Sequence, residues 1–147
     1  MKVRTVSIEG RPVPKGRPRV FRGHAVTPRR TQQAEEQIKA MYRFQNLGEK
    51  PFTGPVEVHC IFCMPIAKTW SKRKKELAAQ GWFRCTVRPD LDNLVKLVLD
   101  ALNGVAYADD SQIVRIHAFK KYSGDHPDGA TIVDIVEEDE RQEDAVK

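Results

Sequence analysis

The sequence predicts a single α/β domain, and three observations carry that prediction. The chain has 147 residues, 40% of them hydrophobic, a size at which one domain is the default and about 68% of the unfolded surface can be buried without disulfides or a structural metal. Stretches with a period of two are interleaved with stretches of helical period, in the order strand, helix, strand, helix, helix, strand, strand. No internal repeat or low-complexity block divides the chain. No run of about 18 apolar residues is present, and the first residues, Met1-Lys2-Val3-Arg4, lack the apolar stretch of a signal peptide. Membrane insertion and secretion are therefore not expected, and a cytoplasmic location is.

Residues 2–9 (KVRTVSIE) alternate polar and apolar as a first strand. Residues 10–28 follow, with Pro12, Pro14, Gly16, Pro18 and Gly23 set among Arg11, Lys15, Arg17, Arg19 and Arg22. Such a stretch forms neither a regular helix nor a central strand and reads as a basic loop or arm. Thr27 as an N-cap with Pro28 in the first helical position opens a helix over 28–46 with a mostly polar surface, closed by Gly48 and Pro51. A strand at 55–64 comes next. Ser71 then caps a short helix that carries Lys72, Arg73, Lys74 and Lys75 in its first turn, where four cations oppose the helix dipole. A partner phosphate would offset that cost, and a solvated lysine run accounts equally well for the same residues. The strongest helix is 91–103, with Asp90 at its N-cap and Asn103-Gly104 as its stop. Strands at 112–121 and 130–136 are joined by a loop over 122–129 that holds Gly124, Pro127 and Gly129. From Glu137 onward the last eleven residues hold six acids, the composition of a flexible acidic tail. The domain is thus expected to span 1–136 and the tail 137–147.

Charge is divided along the chain. Residues 1–88 carry 19 Lys and Arg against 6 Asp and Glu, whereas 89–147 carry 6 against 14. A basic half suits a polyanionic partner, since each neutralised phosphate releases condensed counterions. Clustered aspartates in the other half suit divalent cations, and the two together suggest metal-assisted work on nucleic acid. The three cysteines form no framework. Cys60 and Cys63 stand three apart on the predicted 55–64 strand and point to opposite faces, which is the wrong arrangement for chelating one zinc ion.

The chemistry concentrates in residues 88–104, RPDLDNLVKLVLDALNG. At about 100° per residue, Asp92, Asn93, Lys96, Asp100 and Asn103 share one helix face. Leu91, Leu94, Val98, Ala101 and Leu102 form the opposite, core-facing stripe. Asp90 sits at the non-helical start, so Asp90 and Asp92 are placed to offer two carboxylates to a hard cation such as Mg²⁺. Asp109 and Asp110 follow shortly after the helix and can return a third carboxylate to its N-terminal region. A metal held there activates water and offsets charge on a phosphodiester. Lys96, one turn beyond Asp92, is placed to hold a phosphate or to assist the attacking water or leaving group. Asp-x-Asp alone is a weak signal, because an amphipathic helix with an Asp92/Lys96 surface pair would read the same way.

The full string, Asp90-Leu91-Asp92-Asn93, Lys96, Asp100-Ala101-Leu102 and Asp109-Asp110 with Gln112, resembles the RusA family of Holliday junction resolvases. Pro14-Lys15-Gly16-Arg17-Pro18-Arg19 and the Trp70–Lys75 stretch are similar to its phage and prophage branch. The resemblance implies a mixed β-sheet with helices packed on it, and a homodimeric, Mg²⁺-dependent endonuclease, with Mn²⁺ as a substitute ion, that makes paired cuts in four-way DNA junctions. It carries over Asp90, Asp92 and Asp110 as metal-binding carboxylates, with Asp109 able to exchange with Asp110, and Lys96 as the catalytic lysine. Asp100 matches a family position without a settled role. Lys15, Arg17, Arg19, Lys72, Arg73, Lys74 and Lys75 are the expected DNA contacts. A broader flap- or fork-cutting nuclease and a non-catalytic basic DNA-binding protein are the competing readings.

Overall fold

The computed structural model describes residues 1–139, and its main sheet has four strands. Strand β1 (Lys2–Glu9) pairs antiparallel with β6 (Ala130–Glu137), which pairs antiparallel with β4 (Val56–Met64), which in turn runs parallel to β5 (Ile113–Tyr122). The sheet is therefore mixed, as expected. Helices α1 (Arg29–Gln45) and α3 (Leu91–Leu102) pack against each other, and a shorter α2 (Lys72–Ala79) precedes α3.

The core lies on one side of the sheet. Val6, Val58, Cys60, Phe62, Val133 and Ile135 from the strands meet Ala34, Ile38 and Tyr42 of α1 and Leu94, Leu97, Val98, Ala101 and Leu102 of α3 in one buried cluster. Period-two alternation in the strands and the leucine stripe of α3 supply the two facing surfaces. Leu97, outside the predicted stripe, belongs to it as well. Cys60 is part of this cluster, and burial pushes its thiol up to about 12, which leaves it an inert, small apolar group.

The sheet's other face carries Val3, Thr5 and Ser7, then Val136, Asp134 and Ile132, then Glu57, His59 and Ile61, then Arg115, His117 and Phe119, read across from β1 to β5. Val3 and Phe119 are about half exposed, at 54% and 48%. One irregularity sets the phase of β5. Val56 pairs with Ile113 but Glu57 pairs with Arg115, so Val114 is an extra residue. On a regular strand Ile113 and Ile116, three apart, would face opposite ways. The bulge brings both to the helix side.

Several expectations about local structure are corrected. The segment read as an irregular arm contains a separate hairpin, β2 (Arg19–Phe21) and β3 (His24–Val26). Its two-residue turn has Arg22 at φ 49 and Gly23 at φ 79, positive at both central positions as the twist of a tight hairpin demands. Pro28, not Thr27, occupies the N-cap position of α1, and no side chain caps that helix. Asp90 is the N-cap residue of α3 by backbone position, yet its carboxylate makes no capping bond. Ser71 does cap α2, its hydroxyl accepting from the Lys74 N–H at 3.2 Å. The acidic stretch from Glu137 does not leave the fold at once. Glu137 Oε2 accepts from the Gly54 N–H at 3.1 Å, the Glu138 N–H donates to Pro55, and Asp139 pairs with the N-terminal ammonium at 2.6 Å. The remainder of the expected tail, 140–147, lies outside the described residues.

Candidate active site

Helix α3 presents Asp92, Lys96 and Asp100 along one flank, and β5 begins beside it. Between them lies an open cleft of about 340 Å³ lined by Asp92, Val95, Lys96, Leu99, Asp100, Asp110, Ile113 and Ile116. Ile113 and Ile116, brought round by the bulge, contribute apolar wall, and the three acids and the lysine supply the charge. The side chains of Asp92, Lys96 and Asp110 make no hydrogen bond or ion pair with any described residue, and all three are exposed. Their oxygens and ammonium remain available to a ligand.

The connection from α3 to β5 explains why Asp110, rather than Asp109, reaches this cleft. Gly104, at φ 78, turns the chain, and its N–H donates to the Tyr107 carbonyl at 2.8 Å. Phe52 then clasps the returning segment: its N–H donates to Ala106 and its carbonyl accepts from Ala108. The buried Tyr107 hydroxyl donates to the Leu99 carbonyl at 2.7 Å. Asp109 caps a single 3₁₀ turn over Asp110–Gln112, with a reciprocal capping box in which the Gln112 side chain accepts from the Asp109 N–H at 2.8 Å. Hydrogen bonding from Ser111 holds the Asp109 carboxyl below its usual range. The amide nitrogen of Gln112 donates to the Phe52 and Gly54 carbonyls at 2.8 and 2.9 Å, which pins the turn to the β4 end of the sheet. Asp109 is thus engaged with its own backbone, and Asp110 lines the cleft.

Asp90 borders a second opening of about 480 Å³, lined by Arg11, Pro12, Pro14, Lys15, Arg30, Arg88, Pro89, Asp90 and Asn93. Lys120 of β5 sets the approach to Asp90 by donating to the carbonyls of Val87 and Pro89 at 2.8 and 3.0 Å. The Arg88–Pro89 peptide is cis. Arg30 and Arg88 were not singled out from the sequence. Arg88 stands two residues before Asp90, the start of the Asp-x-Asp string, but Arg30 is brought in only by the docking of α1 on α3.

Lys15, expected at the DNA backbone, is otherwise engaged. Its ammonium lies 2.6 Å from Glu35 of α1 and 3.0 Å from Asp100 of α3, and its backbone N–H donates to the Asn93 carbonyl at 2.9 Å. Burial works against the charge, but the bonds to Glu35 and Asp100 outweigh it, so the lysine pKa is raised. The next residue is locked too: the Gly16 N–H donates to Thr31 Oγ1, and a Cβ at Gly16 would stand 2.6 Å from that oxygen. The Pro14-Lys15-Gly16 segment is therefore a strap across α1 and α3, and Asp100 is one of its anchors. Arg17 is exposed, and the side chain of Arg19 lies outside the described part. The cations of α2 do not line either opening. Lys75 borders a different depression with Lys68, Glu76 and Asp128, and the Lys74 ammonium sits 4.1 Å from the Trp70 ring centroid.

A family model described as Endodeoxyribonuclease RusA matches residues 9–135. The chain belongs to the RusA family. It is also similar to an uncharacterized protein of Bacillus subtilis (strain 168), YqaN, with 39% identity over 123 residues that cover 80% of this chain and 86% of that protein. Membership in the RusA family brings endodeoxyribonuclease chemistry and DNA as the partner. No helix among the described residues is long and apolar enough to cross a membrane. Two donor sets could hold a cation: the all-oxygen aspartates of the α3 region, which suit a hard ion, and Glu57, His59 and His117, whose ligand atoms lie within 4.8 Å of one another on the other face of the sheet. Among the described residues no three aspartate carboxylates are grouped that closely.

Proposed function

We propose that this RusA-family chain is a metal-dependent crossover junction endodeoxyribonuclease that resolves four-way DNA junctions by paired nicks. The observation that carries the reading is the cleft that Asp92, Lys96 and Asp110 line without a hydrogen-bond or ion-pair partner among the described residues. Exposed carboxylates and an ammonium that no described residue engages are free to take a cation and a phosphate without first breaking a protein contact. Asp90, Asp92 and Asp110 would hold Mg²⁺, with Mn²⁺ as a substitute, because all their donors are oxygen. An ion held by these carboxylates would activate a water and offset the charge that develops on the phosphodiester.

The protein's own groups do the rest. Lys96 faces the same space and neutralises a non-bridging phosphate oxygen or gives a proton to the leaving 3′ oxygen. Arg11, Arg30 and Arg88 line the adjoining opening and carry the DNA backbone past Asp90. Arg17 and the Lys72–Lys75 run extend the basic surface. The hydrophobic wall made by Val95, Leu99, Ile113 and Ile116 limits water around the scissile phosphate. Two such sites in a homodimer would match the approximate two-fold symmetry of a junction and cut opposing strands. The enzyme would work in the cytoplasm, on recombination intermediates or prophage DNA.

A digest of a mobile four-way junction beside a duplex, a flap and a fork, with Mg²⁺ and with chelator, tests the reading. Paired symmetric nicks confined to the junction are expected. Equal cutting of flaps and forks would make it a general branched-DNA nuclease, and no cutting of any substrate would leave a DNA-binding protein.

A further inference from the structure

The side of the sheet away from the cleft holds a group the nuclease chemistry leaves unused. His59 of β4 and His117 of β5 are direct partners in the parallel ladder, and their rings stack at 4.6 Å between centroids with 22° between planes. Glu57, two residues before His59 and hence on the same face, brings Oε2 within 3.1 Å of His59 Nε2. Its other oxygen, Oε1, is held by Arg115 at 3.2 Å.

We propose that Glu57, His59 and His117 form a binding site for a zinc-class divalent cation on the sheet face opposite the aspartate cleft. The donor set decides the class. Two imidazoles and one carboxylate suit Zn²⁺ and its transition-metal neighbours, whereas Mg²⁺ prefers oxygen alone. The spacing is close to what is required. A tetrahedral zinc ion with bonds of about 2.0–2.1 Å places its ligand atoms roughly 3.4 Å apart, and here the three atoms lie within 4.8 Å of one another, with the His59–Glu57 pair already at 3.1 Å. His117 is exposed, so its ring is free to turn toward the other two ligand atoms. Arg115, bound to the oxygen that does not face His59, keeps the carboxylate turned toward the histidines, the orienting role that a hydrogen-bonded neighbour plays around many metal sites.

The surroundings single out the site further. Across the four strands Thr5, Asp134, His59 and His117 form one polar row, and the next row on one side is Ser7, Ile132, Ile61 and Phe119. Apolar neighbours lower the local dielectric and favour coordination over hydration. Three protein ligands leave an open position for water or for an external donor. A metal here would cross-link β4 to β5, the two strands whose opposite faces carry the core and the cleft.

The test uses the untagged, chelator-stripped full chain with Zn²⁺ by calorimetry and Co²⁺ by visible absorption. Wild-type protein should bind one Zn²⁺ per chain and give the intense d–d bands of a tetrahedral or five-coordinate Co²⁺ ion. His117→Ala, at an exposed position, should weaken Zn²⁺ binding at least tenfold and abolish the bands, and His59→Ala should do the same. Asp92→Asn and His126→Ala should change neither readout. Circular dichroism checks that each variant is folded, and His117→Ala alone decides the matter if His59→Ala is not. Binding that survives His117→Ala, binding lost on Asp92→Asn, or no stoichiometric binding by the wild type would each overturn the proposal.

Discussion

Replacing Gln112 with alanine should damage the nuclease through geometry rather than through loss of a reacting group. The Gln112 amide makes three hydrogen bonds: two part-buried donations to Phe52 and Gly54, and one exposed acceptance from Asp109. The exposed bond is readily replaced by water and counts for little. Each part-buried bond contributes about 1 kcal/mol. The Phe52 carbonyl keeps the Ala108 N–H as a second donor, but the Gly54 carbonyl loses the one side-chain donor it has here. A loss of about 2–3 kcal/mol follows, which for a domain of this size lowers the melting temperature by about 5–10 °C. A typical domain stays folded at 25 °C after such a loss. With the capping box open, Asp110 is no longer held against the cleft, and a displacement of about 1 Å costs about 100-fold in rate. Urea unfolding and single-turnover junction cleavage measure the two effects. Cleavage should fall by about 10- to 100-fold while junction binding in chelator stays within about twofold. Wild-type nicking by the destabilised variant would refute the positioning role, and unchanged stability would refute the hydrogen-bond accounting.

Three further outcomes follow from the same geometry. Asp110→Asn should reduce Mg²⁺-dependent cleavage by about three orders of magnitude or more, whereas Asp109→Asn, which keeps a competent cap, should stay within a few-fold of wild type; equal losses would remove the distinction between them. Lys15→Ala should cost about 1–2 kcal/mol, between the values for exposed and buried pairs because Asp100 is partly screened, and a double-mutant cycle with Glu35→Gln checks the coupling. Because the Lys15 pKa is raised in the folded protein, this contribution is fully present below the ordinary lysine value and is lost as pH rises through the raised one, so unfolding measured at pH 7 and at pH 9 should show the same Lys15→Ala penalty. Changing Arg11, Arg30 and Arg88 together to alanine should weaken junction binding and lower its salt slope by up to about 2.7. An unchanged slope would move the DNA path away from that opening.

Helix α3 was legible in the sequence because one apolar stripe and one polar face repeat at helical spacing, and the structure places Asp92, Lys96 and Asp100 along that face. Spacing alone could not separate Asp109 from Asp110, as the two are adjacent. The signal that separates them was nonetheless present: Asp109-x-x-Gln112 is the pattern of a capping box, which assigns the first aspartate to the backbone and releases the second. The engagement of Lys15 was not legible. Its partners, Glu35 and Asp100, belong to α1 and α3, and only the packing of those helices brings them together. The β2–β3 hairpin was missed because Arg22 is an unusual residue at positive φ, so the Arg22-Gly23 turn lacks the Asn-Gly or Asp-Gly signature. Glu57 and His59 were visibly on one strand face, but His117 joins them only through the register of β4 with β5.

That register turns on the extra residue at Val114. A strand alternates faces like a two-state counter, and one added residue reverses the count for everything on one side of it. Asp110 and Ile113 belong to the count before Val114; Ile116 and His117 belong to the count after it. Deleting Val114 would force a choice, either turning Ile113 outward and drawing the Asp110 turn from the cleft, or turning His117 inward among the helices. Removing a pair of residues would preserve parity and shorten the strand without that choice. Chain length at the start of β5 is therefore a shared constraint on both faces of the sheet, and single-residue insertions or deletions there should be tolerated far less well than substitutions at the exposed Val114 side chain.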